Sequence, residues 1–203
     1  MDARIDQLAP GKRGGCNTWL VGDTDEVIVV DPGRDAEAVL AAVSDREILA
    51  VICTHGHPGH VAAALEVAAR DEAPVALHPR DVLAWREAHR GREPDIDMAE
   101  GGIFEVAGVA LEVIHTPGHS PGSVSLYCEQ LGVVFSGDAL TADGPAPHAG
   151  EYPDFPGQLS AIGQELLTLP DETRVLPGHG EETTVETAGK LFDSWVAAGP
   201  PPG

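Results

Sequence analysis

Short apolar runs separated by turns rich in Gly, Asp and Pro dominate the chain, with helical stretches set between them. Residues 18–22 and 26–30 read as paired strands around the turn Asp23-Thr24-Asp25. Residues 35–43 predict a helix that leads into the run Ile48-Leu49-Ala50-Val51-Ile52-Cys53. That run does not alternate with polar residues, as expected of a strand buried on both faces. Good helix formers over 61–70 predict a helix directly after it. Pro74-Val75-Ala76-Leu77 predicts a short strand, and 80–90 a helix with Leu83 and Trp85 on its apolar side. The charged stretch 91–102 carries Pro94 and reads as an exposed loop. Two hairpins follow: 103–106 turns at Ala107-Gly108 into 109–114, and 123–128 turns near Gly132 into Val133-Val134. Residues 158–167 and 185–197 predict helices, and 199–203 a frayed, flexible tail. There is no tandem repeat and no linker, and 203 residues can bury a proper core, so 1–203 reads as a single domain.

The chemistry sits where apolar runs stop. His55-Gly56-His57-Pro58-Gly59-His60 places three imidazoles in six residues just after the run 48–53. Neutral imidazole is the commonest protein ligand for transition metals, and a strand end meeting a helix start is a frequent place for a site. Three later turns repeat the arrangement: His115-Thr116-Pro117-Gly118-His119-Ser120-Pro121-Gly122-Ser123, Ser136-Gly137-Asp138, and Pro177-Gly178-His179-Gly180. Each follows an apolar run and carries a His or Asp beside Gly, which lets backbone approach closely. A lone buried His or Asp is usually a satisfied structural group, but four such turns in one chain point to a shared metal centre.

This ordered set, together with Val30-Asp31-Pro32-Gly33, resembles the metallo-β-lactamase-fold hydrolases, and most nearly their short glyoxalase II-like (hydroxyacylglutathione hydrolase-like) branch. The resemblance runs from about Asn17 to His179. It implies an α/β (α+β) chain folded as a four-layer αββα sandwich, with two metal positions in a cleft at one edge. It also implies that His55, His57 and His119 hold the first metal, and that His60 and His179 hold the second. Asp138 then bridges both as metal ligand and catalytic carboxylate. The activity implied is thioester or ester hydrolysis by a metal-bound hydroxide.

One position departs from the family pattern H-x-H-x-D-H. Position 59 is Gly, which offers no side-chain ligand. Three protein ligands plus water remain a normal catalytic arrangement for zinc, but loss of a carboxylate weakens the second site. The expectation is one zinc held firmly and a weakened second position, with iron or manganese as alternatives. Asp23, Asp25, Asp31 and Asp143 are candidate substitutes that the sequence cannot place. The same departure keeps two other readings open. One is a mono-iron, persulfide dioxygenase-like oxidoreductase; the other is a catalytically impaired member of the family.

Composition narrows the partners. With 33 acidic against 12 basic residues the net charge is −21, which repels phosphate backbones and argues against nucleic-acid binding. No run approaches a membrane span, and the N-terminal residues carry no apolar signal core. Cys16, Cys53 and Cys128 are too few and scattered for a disulfide framework; Cys53 and Cys128 read as packed thiols. The expectation is a cytoplasmic enzyme, monomer or homodimer, with a small-molecule substrate. Tyr152 and Phe155, with Asp154, are candidate substrate contacts, read equally well as a turn before a helix. Ser120 and Ser123 read as loop-shaping residues, and His115 as support for a metal ligand. Full-length glyoxalase II adds a basic helical domain for glutathione that has no counterpart after His179, so the thiol carrier stays open.

Overall fold

The computed structural model describes residues 2–10, 15–147 and 154–200. Two six-stranded sheets stack face to face. The first has the order β1 (Arg4–Leu8), β2 (Thr18–Gly22), β3 (Glu26–Val30), β4 (Glu47–Ile52), β5 (Val75–Leu77), β6 (Ile96–Asp97). The second runs β12 (Thr183–Thr184), β11 (Arg174–Pro177), β10 (Val133–Gly137), β9 (Val124–Cys128), β8 (Val109–His115), β7 (Ile103–Val106). β3, β4, β5 and β6 pair in parallel, as do β10 and β11; the remaining pairs are antiparallel.

Strand periodicity builds the layers. Trp19, Val21, Ile28, Val30 and Ile52 face Leu111, Val113, Leu126, Phe135 and Leu176 in the core between the sheets. Their neighbours Leu20, Val27, Val29, Val51 and Val75 point outward, under α1 (Ala36–Val43), α3 (Ala64–Ala69) and α4 (Val82–Ala88). Val134 and Val175 leave the second sheet on its outer face. There Ile162 and Leu166, which continue α5 (Phe155–Ala161) as a widened π-type turn, and Val185 and Ala188 of α6 (Val185–Ala198) cover them. The central strands of both sheets are thereby buried on both faces, and the order helix, sheet, sheet, helix is the αββα sandwich expected from the resemblance. Cys128 lies in the inter-sheet core and Cys53 under the helices, both as packed thiols.

Several expectations change. The helix expected over 61–70 is two short ones, α2 (Pro58–Val61) and α3, because Gly33 interrupts: its N–H bonds the His60 carbonyl and its carbonyl accepts from Ala63. α4 buries Trp85 completely but leaves Leu83 68% exposed, so the two do not share an apolar face. The 91–102 segment contains β6, which extends β5 through Ile96 and Asp97. β1 carries no strand signal in its sequence; it is a half-exposed edge strand paired to β2 from Arg4↔Gly22 to Leu8↔Thr18. The tail expected over 199–203 begins at Gly199, which caps α6; residues 201–203 lie outside the described residues.

Candidate metal centre

The two sheets meet at one end through a few backbone contacts, and these place the site. Asp31 at the end of β3 donates its N–H to the Ile52 carbonyl of β4. Thr54 just beyond β4 accepts at its carbonyl from Val124 of β9, joining the sheets. Asn17 fixes the β11 end: its N–H bonds the Gly178 carbonyl, and its amide nitrogen lies 3.0 Å from the carbonyls of Pro177 and Gly180. The loops after β4, β8, β10 and β11 therefore open into one cleft. Gly178 allows a close approach there, since a Cβ would come within 2.6 Å of Asp138 Oδ1 and His60 Cε1.

All six side chains expected to bind metal converge in that cleft. His57 Nδ1 and His119 Nε2 are 3.1 Å apart, and the His55 ring centroid lies 4.6 Å from that of His57 and 4.9 Å from that of His119. Asp138 Oδ2 faces the imidazoles: 3.4 Å to His60 Nε2, 3.5 Å to His119 Nε2 and 3.9 Å to His55 Nε2. Asp138 Oδ1 pairs with His179 Nδ1 at 2.8 Å. The ligand atoms of His55, His57 and His119 lie within 4.8 Å of one another, as do those of His55, His60 and Asp138. Either set could hold a metal ion. The donors fit one: His55 Nε2 is buried with no hydrogen-bond partner among the described residues. An unsatisfied buried polar atom costs about 1–3 kcal/mol, which a cation accepting the lone pair removes.

Electrostatics support the same use at His55 and His57. Burial holds His55 well below the usual imidazole range, as a neutral ligand. Burial and neighbouring charges, Asp81 raising and His60 lowering, leave His57 lowered too. Burial opposes charge on Asp138 and on His60, but their attraction overrides it. Asp138 stays well below the usual carboxylate range, while Cys16, Asp138 and Asp31 carry His60 upward.

The supporting residues were mostly not foreseen. Asp31 is 1% exposed; its Oδ2 lies 3.0 Å from His60 Nδ1, and it accepts from Thr54 N at 2.7 Å and Thr54 Oγ1 at 2.7 Å. Of the four candidate substitutes it is the one next to His60, on the side of the ring away from Asp138. Asp23 instead accepts from Asp25 and Glu26 in the β2–β3 turn, and Asp143 is exposed. Cys16 adjoins Asp31 and His60, its Sγ 3.5 Å from the Asp31 carbonyl. Gln158, fully buried on α5, donates to the carbonyls of Asp138 and Ala139.

Other expected residues behave differently. Phe155 is 9% exposed at the start of α5, packed in rather than open at the mouth. Asp154 is the helix cap, accepting from Gly157. Its N–H bonds the Gly118 carbonyl, so α5 abuts the His119 loop. Tyr152 lies outside the described residues. His115 stacks on His78 with ring centroids 4.5 Å apart and bonds the Pro121 carbonyl.

Comparison with known proteins gives the lineage. The metallo-beta-lactamase superfamily pattern matches residues 11–179. The probable metallo-hydrolase YqgX of Bacillus subtilis is 34% identical over 189 residues, 84% of this chain and 88% of its own. The hydroxyacylglutathione hydrolase GloC of Haemophilus influenzae is 28% identical over 185 residues, 83% of this chain and 87% of its own. Among solved structures, the B3 metallo-beta-lactamase BLEG-1 superposes with a TM-score of 0.81 at 30% identity, covering 94% of this chain and 97% of that one. TTHA1623 in a di-iron-bound form gives 0.78 at 30% identity, covering 91% and 97%. ETHE1 from Myxococcus xanthus gives 0.78 at 25% identity, covering 96% and 88%. The chain belongs to the metallo-beta-lactamase superfamily, and the αββα arrangement is the fold of these neighbours.

Proposed function

We propose that this protein is a metal-dependent hydrolase of thioester bonds, of the glyoxalase II-like kind. The observation that carries the reading is the convergence of His55, His57, His119 and Asp138 in one cluster, with the buried His55 Nε2 left without a hydrogen-bond partner among the described residues. Similarity to GloC supports a thioester over other esters. His55, His57 and His119 would hold the first ion, and His60, His179 and Asp138 a second. A zinc, iron or manganese ion there supplies Lewis acidity and a nucleophile near neutral pH.

The protein's own residues set the conditions. Asp138 keeps its negative charge throughout the neutral range and turns one oxygen to His179 and the other to the histidine cluster. Asp31 fixes the His60 ring so that Nε2 faces Asp138. Nothing lies within 4 Å of a Cβ built at Gly59, so the space beside His60 at this position is open. The high negative charge leaves nucleic acid an unfavourable partner and a small molecule the fitting one.

A second reading, a mono-iron oxidoreductase acting on a thiol persulfide, is favoured by one observation: Gly59 leaves the second position a side chain short. Similarity to ETHE1 fits it. Metal analysis of protein from unsupplemented culture, with turnover on a thioester panel and oxygen uptake with a persulfide, tests both. Zinc with thioester turnover supports the hydrolase; iron with oxygen uptake overturns it. A metal-loaded protein silent in both assays is an impaired member of the family.

A further inference from the structure

We propose that Asp81 is a positioning residue for the first metal position, a buried carboxylate clamp that holds the His55–His57 loop against the His119 loop. The inference rests on the reading of His55, His57 and His119 as metal ligands. Asp81 ends the short turn after β5 and is 2% exposed. Its Oδ2 accepts from Gly56 N at 2.8 Å, the amide between the two histidines, and from Ser120 Oγ at 2.6 Å, next to His119. Its Oδ1 accepts from Gly122 N at 2.6 Å in the same loop. Ser120 Oγ also lies 2.7 Å from Ser123 Oγ, which in turn accepts from Ser120 N, so the clamp continues through the loop.

Two loops from different sheets thus share one anion. A buried carboxylate is tolerable only when donors surround it, and here there are three. The fit is tight from both sides: a Cβ on Gly56 would lie 2.5 Å from the Asp81 carbonyl, and one on Gly122 would lie 2.6 Å from Asp81 Oδ1. The three donors to Asp81 are two backbone amides and a hydroxyl, none of them an imidazole. Asp81 acts by fixing the backbone from which His57 and His119 project, so that their nitrogens stand 3.1 Å apart before any ion arrives. Without that clamp, binding must order the loops at the moment of capture, which costs affinity.

The test uses Asp81→Asn, which keeps the shape but turns an NH2 toward a donor. Zinc affinity by chelator competition, the visible spectrum of the cobalt-loaded protein, and a melt of the metal-free protein are measured together. Loss of such a supporting residue should weaken zinc binding by roughly 10–100-fold and shift the cobalt bands. A merely structural role would lower the melt and leave the cobalt spectrum unmoved; that result, or zinc affinity within about twofold of wild type, overturns the clamp. If Asp81→Asn does not melt cooperatively, Ser120→Ala decides, since it removes one of the three bonds from outside. A several-fold weaker affinity then supports the clamp and wild-type affinity overturns it. A wild type that takes up neither zinc nor cobalt overturns the metal reading itself, a failure distinct from that of the clamp alone.

Discussion

Asp31 Oδ2 lies 3.0 Å from His60 Nδ1, and this contact turns the other ring nitrogen toward Asp138 Oδ2, 3.4 Å away. A carboxylate on the far nitrogen fixes tautomer and orientation and makes the near one a better ligand. Asp31 also satisfies Thr54 N and Oγ1 beside His55. Asp31→Ala should therefore lower metal content at the His60 side and destabilise the metal-free protein by about 1–3 kcal/mol, as expected when buried donors lose their acceptor. Metal analysis paired with urea unfolding checks both. An unchanged unfolding curve would show that the Thr54 donors find another partner.

The first position should depend on each of its imidazoles. His55→Ala, His57→Ala and His119→Ala should each abolish turnover and cut metal content, since water replaces a lost imidazole poorly. His89 is a poor control, because its Nε2 lies 2.8 Å from the Val61 carbonyl and its ring packs on buried Trp85. Glu129→Gln, exposed beyond β9, should be silent. Wild-type metal and turnover in any of the three histidine variants would remove that residue from the ligand set.

His179 provides a pH readout in the metal-free protein. The hydrogen bond it donates to Asp138 raises it above the ordinary 6.5, with burial working against. A raised histidine contributes stability that is fully present below its unfolded value and is lost as pH rises through the folded one. Metal-free wild type should therefore lose this contribution on going from about pH 6 upward, and Asp138→Asn should return the His179 titration toward 6.5. Proton NMR of the imidazole signals follows it directly. A His179 titration that does not move in Asp138→Asn would break the pairing.

Much of this site is legible in the sequence because its ligands stand at strand ends. An apolar run fixes where a strand stops, and His55, His119, Asp138 and His179 each follow one within a few residues. The supporting shell is not legible in the same way. Asp81 and Gln158 lie in segments with no motif and act only after β5 and α5 are packed beside the cleft, so no spacing along the chain reveals them. β1 and β6 escape notice because each is an edge strand, held by backbone pairing with little apolar pattern of its own. Leu83 and Trp85 mislead because α4 begins at Val82, so a window drawn from 80 to 90 blurs which side of a short helix turns inward.

Gly59 is the residue on which the proposed metal count turns. It lies within α2, one residue before His60, and is not among the positive-φ glycines, so Asp can take its backbone conformation. Its Cβ position is open, with no atom within 4 Å, so a side chain meets no steric cost. Wild type should retain nearer one than two metals per chain after dialysis, because the second position has only His60, His179 and a share of Asp138. Gly59→Asp adds a carboxylate beside His60 and should raise retention toward two. It should leave the melt of the metal-free protein within a few degrees of wild type, or slightly above, since Gly in a helix costs roughly 0.5–1 kcal/mol relative to Ala. If the protein is a hydrolase limited by its second position, thioester turnover should rise with the second ion. If the space at Gly59 serves the substrate, turnover should fall while the second ion binds. Metal analysis, turnover and melting on the same preparation separate these outcomes. A well-folded Gly59→Asp protein with unchanged metal retention would mean that position 59 does not face the ion, and the assignment of His60 and His179 to a second position would fall with it.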